Sequence, residues 1–254
     1  MSPLSLLRVG LLLLVVASAA AAAPASAQIL QRLDFETRSL TQWGGSQAAA
    51  GRVTIVRTPR RQGRFAARFL IRRGDRPNDH ASRAELYAST GEVPGTESWW
   101  TWSTRFPRAF RAQSGTWNLF TQWHGTVPRC IPNVAFLVDR RTKRPKLLLG
   151  VNGGAKNMVT CEGGTGRGWS LAPLRRGRWY DFVFHVKWSA SPSVGFVELW
   201  LNGRRVVPRT HVTTLYVGQG AYVKQGFYSG PKRINSLIFH DGLRRLASKP
   251  RWLP

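Results

Sequence analysis

The chain has 254 residues and is strongly basic, with 38 Lys and Arg against 12 Asp and Glu and a formal net charge of +26. Such a charge attracts polyanions. Twelve acids with no paired-carboxylate strand motif leave a glycoside hydrolase little to work with, and no stretch after the N-terminal segment is apolar enough and long enough to span a membrane.

Residues 1–27 carry Arg8, an apolar LLLLVV at 11–16 and Ala25-Ser26-Ala27. This is the pattern of a secretory signal peptide cleaved before Gln28. It predicts an exported monomer with one domain over 28–254, and it points away from a nucleic-acid or membrane partner and towards an acidic polysaccharide.

Short alternating segments follow, rich in aromatic and β-branched residues and separated by Gly, Pro and Asn. They begin with VTIVR (53–57) and RFAARFLI (64–71), where Phe65, Ala67, Phe69 and Ile71 face one way and Arg64, Arg68 and Arg72 lie among the residues facing the other. In SRAELY (82–87), Arg83, Glu85 and Tyr87 share a face opposite Ala84 and Leu86. SWWTWSTRF (98–106) supplies core tryptophans. In WNLFTQWH (117–124), strict alternation groups Asn118, Phe120, Gln122 and His124 against Trp117, Leu119 and Trp123. VAFLVD (134–139) and KLLLGV (146–151) read as a hairpin, with Cys130 and Cys161 just outside it. An oxidising compartment favours a bridge between them that clamps the hairpin's base.

WYDFVFHVKW (179–188) and FVELWL (196–201) follow, the latter ending on the turn signal Asn202-Gly203. In YVKQGFY (222–228), Tyr222, Lys224 and Tyr228 share a face, with Gly226 between them leaving room for a ligand to approach the backbone. LIFHDG (237–242) closes the series. His185 reads as structural or peripheral, His240 as a strand-end residue and His80 as a loop residue. No segment has a helical period. The pattern predicts an all-β sandwich of two antiparallel sheets, a concanavalin-like jelly roll.

The three polar faces suit one chemistry. Cleaving a uronate polymer by β-elimination removes the C5 proton beside the carboxylate and expels the C4 oxygen. The carboxylate must be neutralised, a task for Arg83, Gln122 and Lys224. A base must take the proton, and His124 titrates in a suitable range. Tyr228 can protonate the leaving oxygen. Asn118 and Tyr222, in the same parity, complete the candidate substrate-binding set. No metal or other cofactor is required, and no carboxylate cluster matches a calcium loop.

RAEL (83–86), QWH (122–124) and YVKQGFY (222–228) resemble, in order, the signature blocks of β-jelly-roll polysaccharide lyases, alginate lyases among them. The flanking DFETRSLTQW, GRFAARF, WYDFVFHVKWS and VELWLNG are similar to phrases of the heparin lyase I and glucuronan lyase group. The resemblance implies His124 as general base and Tyr228 as general acid, or the tyrosine in both roles where proton and leaving group lie on one side. It implies Arg83, Gln122 and Lys224 at the carboxylate, with Glu85 holding Arg83. Trp123 stands where alginate lyases carry a small aliphatic residue, which argues against alginate. A non-catalytic carbohydrate-binding sandwich is the alternative, one that would have no need of a matched base and acid.

Overall fold

The computed structural model describes residues 27–75, 81–127, 130–141, 144–154, 161–231 and 234–253. The leader up to Ser26 and the loop residue His80 lie outside the described residues. In chain order the strands are Ile29–Leu33 (β1), Gly45–Ala48 (β2), Val53–Val56 (β3), Ala66–Ile71 (β4), Ser82–Glu92 (β5), Glu97–Phe106 (β6), Asn118–Gly125 (β7) and Val134–Asp139 (β8). They continue with Lys146–Gly153 (β9), Thr165–Pro173 (β10), Arg178–Lys187 (β11), Phe196–Leu201 (β12), Arg204–His211 (β13), Ala221–Ser229 (β14) and Ser236–Leu246 (β15). No helix among the described residues is long and apolar enough to cross a membrane.

Two antiparallel sheets result. The first runs β13-β12-β11-β6-β15-β4-β3 with β1 added on β15, and the second runs β10-β9-β8-β7-β14-β5-β2. This is the jelly-roll sandwich that the alternation predicts. Ala67, Phe69 and Ile71 of β4 point inward from the first sheet, and Ala84, Leu86 and Ala88 of β5 point inward from the second. Between the layers, Trp100, Trp102, Trp123, Trp188, Phe136 and Phe182 are fully buried. Each such ring contributes roughly 2–3 kcal/mol by leaving water. The β8–β9 hairpin pairs Val134 with Val151 through to Asp139 with Lys146. Outside its base Cys130 and Cys161 form a disulfide, their Cα atoms 5.6 Å apart. The β12–β13 turn has Asn202 at φ 50° and Gly203 at φ 78°, the two positive angles a tight hairpin needs.

Along β7 the strict alternation fails. The register against β8 shifts between Leu119 and Thr121, and this bulge reverses which residues face the core. Phe120 and Trp123 both point inward, fully buried. Asn118 is fully buried as well, its amide spent on Gln113 N, Gln113 O and Thr116 O. It braces the loop before β7, so its grouping with Gln122 and His124 is corrected. Trp117, grouped with the core side, is 45% exposed. His240 is not a strand-end residue either. It sits within β15, fully buried, with Nδ1 bonded to Thr104 Oγ1 at 3.0 Å and Nε2 donating to Gly226 O at 3.0 Å.

Candidate active site

β5, β14 and β7 are neighbours in the second sheet, and their register assembles the three sequence blocks on its outer face. Lys224 lies between Tyr87 and Gln122, Tyr222 is opposite His124, and Tyr228 is opposite Arg83 on one side and Leu119 on the other.

The cluster has two levels. Glu85, Gln122 and Lys224 are buried, none more than 4% exposed. Glu85 Oε1 accepts from Gln122 Nε2 at 2.6 Å, and its Oε2 lies 3.4 Å from Arg83 Nε. Burial pushes the Glu85 carboxyl up from its ordinary value, against the pull of Arg83, Lys224 and Gln122. Burial likewise pulls Lys224 down, with Glu85 working the other way. Gln47 of β2 completes this level, accepting from Lys224 Nζ at 3.2 Å and from Arg83 Nη1. Sequence reasoning missed it, because GSQAAAG has neither alternation nor a motif to mark it.

The outer level is partly exposed. Arg83 lies over the Tyr228 ring at 3.9 Å, and Trp117 packs beside the same ring with centroids 5.7 Å apart. His124 Nδ1 is 2.8 Å from Gly125 O. A carbonyl only accepts, so Nδ1 carries the proton and the neutral ring keeps its lone pair on Nε2. Burial holds the His124 pKa below its ordinary value, with Lys224 and Arg83 adding to the effect and the Gly125 carbonyl opposing it. Tyr222 lies 5.9 Å from His124 between ring centroids, and burial, helped by Glu85, pushes its phenol up. A cavity of about 490 Å3, lined by Gln47, Tyr87, Ser89 and Tyr222, opens beside these residues.

The structure brings His124 to Tyr222 and Arg83 to Tyr228. Tyr222 and Tyr228 are six residues apart on β14, a backbone span of at most roughly 20 Å, so His124 and Tyr228 flank the Lys224–Gln122 row from either side. Gly226 serves packing rather than ligand approach. It has φ 151°, and a Cβ there would collide with Ala84 O and the backbone of Glu85. Trp123 points into the core and touches no part of the groove, so it carries no argument about the substrate. Among the described residues no group of three or more His, Cys, Asp or Glu could hold a metal ion.

A jelly roll whose outer sheet face gathers cations, an imidazole and phenols beside a cavity has the frame of a carbohydrate-active protein. This chain belongs to the polysaccharide lyase family, whose model matches residues 35–244. No curated protein matches it in sequence. Among solved structures it is similar to an endo-β-1,4-glucuronan lyase from the fungus Trichoderma reesei, with a TM-score of 0.68 and 16% identity over 81% of this chain and 91% of that one. It is also similar to a glycoside hydrolase family 131 catalytic domain from Coprinopsis cinerea, with a TM-score of 0.60 and 12% identity over 87% and 95% of the two chains. An alginate lyase from Pseudomonas aeruginosa follows, with a TM-score of 0.53 and 18% identity over 75% and 84%. At these identities the likeness is one of fold, which lyases and a hydrolase share.

Proposed function

We propose that the protein is exported and cleaves a uronate-containing polysaccharide by β-elimination in the cleft over β5, β14 and β7. The observation that carries this reading is that His124, with its lone pair on Nε2, and Tyr228, under the Arg83 guanidinium, share one sheet face on either side of the buried Lys224–Glu85–Gln122 cluster. Arg83 and Lys224 offset the substrate carboxylate, so that the C5 proton becomes acidic enough to remove. Gln122 and Glu85 hold those cations in place, since the Gln122 amide already donates to Glu85. His124 takes the C5 proton, and the electron pair left behind forms the C4–C5 double bond. The C4–oxygen bond breaks, and Tyr228 gives its proton to the departing oxygen, leaving an unsaturated uronate end.

A second reading gives the acid role to Tyr222, because its ring is the phenol nearest His124 in register. Three variants separate the two. His124→Ala and Tyr228→Phe should each lower kcat by about 10²–10⁴ with polymer binding little changed, whereas Tyr222→Phe should mainly raise KM. The readout is the ultraviolet absorbance of the new double bond on glucuronan, alginate, heparin, heparan sulfate, hyaluronan and pectate. A Tyr222→Phe chain that is dead beside an active Tyr228→Phe chain moves the acid to Tyr222. Full activity in both His124→Ala and Tyr228→Phe removes the assignment.

A further inference from the structure

The outer face of the first sheet is crossed by the segment that follows β15. Leu253 is buried there on Trp99, Val183, Trp200 and Leu246. Its neighbour Trp252 turns away and is 66% exposed, the most exposed of the large apolar side chains among the described residues. Two grooves border this segment, and Gly203 lines both.

The larger groove, of about 530 Å3, is walled by Trp252 and Pro250 and carries Arg61, Arg244 and Arg251, of which Arg61 is paired with Asp181 and Arg244 with Asp34. Arg61 grips Asp181 through both Nε and Nη2, at 2.9 and 2.7 Å, which fixes a flat array of donors in the wall. Arg251 is exposed, and Asp181, the one carboxylate of this groove, is taken up by Arg61. The smaller groove, of about 460 Å3, is lined by Arg205, Arg209 and Lys249 together with Glu198. Arg205 Nη1 and Arg209 Nε share that carboxylate, at 3.3 and 3.8 Å, so positive charge remains in excess.

We propose that these two grooves form a second binding site for an anionic polysaccharide, on the sheet opposite the cleft. The inference rests on the uronate-lyase reading only for the identity of the polymer. An exposed indole presents an apolar plane to the C–H face of a sugar ring. Fixed guanidinium forks and the exposed charge of Arg251 answer carboxylates spaced along a chain. The two cavities together give room for several sugar units. Charge decides for a polyuronate over a neutral glycan, and the flat indole beside a groove decides for sugar rings over a bare phosphate chain. The site holds polymer without cutting it, since the described grooves bring no imidazole or phenol to a bound sugar, and so it keeps long chains close to the cleft on the other face.

The test uses the full chain. In a His124→Ala background, adding Trp252→Ala or Arg251→Glu should weaken retention of the long polymer on a polyuronate gel by about tenfold, the loss of one good stacking or charge contact. In the otherwise wild-type chain the same changes should raise KM for long polymer by a similar factor and leave the kinetics of a short oligouronate unchanged. Both positions are exposed, and an unchanged melting temperature confirms the fold. Unchanged retention and unchanged polymer KM overturn the site, as does an equal loss on the short oligomer. Retention of nucleic acid but of no uronate polymer overturns it as well. A chain that cleaves no uronate polymer yet holds one through Trp252 and Arg251 would support this site while removing the lyase reading of the cleft.

Discussion

At the scale of single residues, the protonation state of His124 sets the first condition on catalysis. Burial, with help from Lys224 and Arg83, holds its pKa below the ordinary value of 6.5. A base works only when neutral, so the lowered value keeps His124 active at pH values where a free imidazole would be charged. The acidic limb of log kcat/KM against pH should therefore have its midpoint below 6.5. A midpoint at or above that value would show that His124 is not the group being titrated. The residues in this cleft were unevenly legible in the sequence. Arg83, Glu85, Lys224, Tyr222 and Tyr228 face the way alternation says, because β14 pairs with β5 without a shift from Tyr222 to Ser229. Gln47 left no trace, since a polar side chain on a four-residue edge strand belongs to no pattern. Trp117 was hidden for the opposite reason: an indole before an apolar run reads as core, and only the loop tied down by Asn118 turns it outward beside Tyr228.

Bulges decide matters at the scale of elements. The shift in β7 between Leu119 and Thr121 turns Phe120 inward while leaving Gln122 and His124 on the outer face. In β14 the ladder to β7 is interrupted between Gln225 and Tyr228. Gly226 lies in that gap, its carbonyl taken by His240 from the opposite sheet. In β7 the extra residue changes the face of what lies beyond it, and nothing in the side chains of WNLFTQWH announces one, whereas Val223 and Phe227 of β14 keep the same inward face across the break. Gly226→Ala should be a severe change for so small a group. The added methyl meets Ala84 O and Glu85 in the adjoining strand, at a φ of 151° that favours glycine. Overpacking of this kind costs about 1–3 kcal/mol, measurable as a lower midpoint in urea. Because Tyr228 is two residues on, kcat should fall with it. A Gly226→Ala chain of wild-type stability would mean that β14 can shift without penalty. His240, which sequence reasoning placed at the margin, is the internal prop of this same stretch. Burial drives its pKa down to about 3, so it stays neutral throughout the working range and keeps its Nε2–H for Gly226.

For the whole molecule, the sandwich was the most legible feature, because short apolar alternations with turn residues between them have few other ways to bury themselves. The charge was legible as a quantity but not as a distribution. Few of the 38 cations line the cleft; Arg83 and Lys224 meet the candidate reaction centre, and the grooves on the other face hold six more. Long-range attraction between such a surface and a polyanion is screened over about 8–10 Å at ordinary ionic strength. Raising salt should therefore raise KM for long polymer steeply and change kcat little, as read from initial rates at several salt concentrations. A kcat that fell in parallel would place the screened charges at the bond being broken. The Cys130–Cys161 bridge, finally, closes a loop of 31 residues whose first end follows His124 by six positions. A preparation made in a reducing cytosol would reach the bench without that tie. Poor turnover from such material would describe the expression host rather than the enzyme, so oxidative export belongs in any production plan.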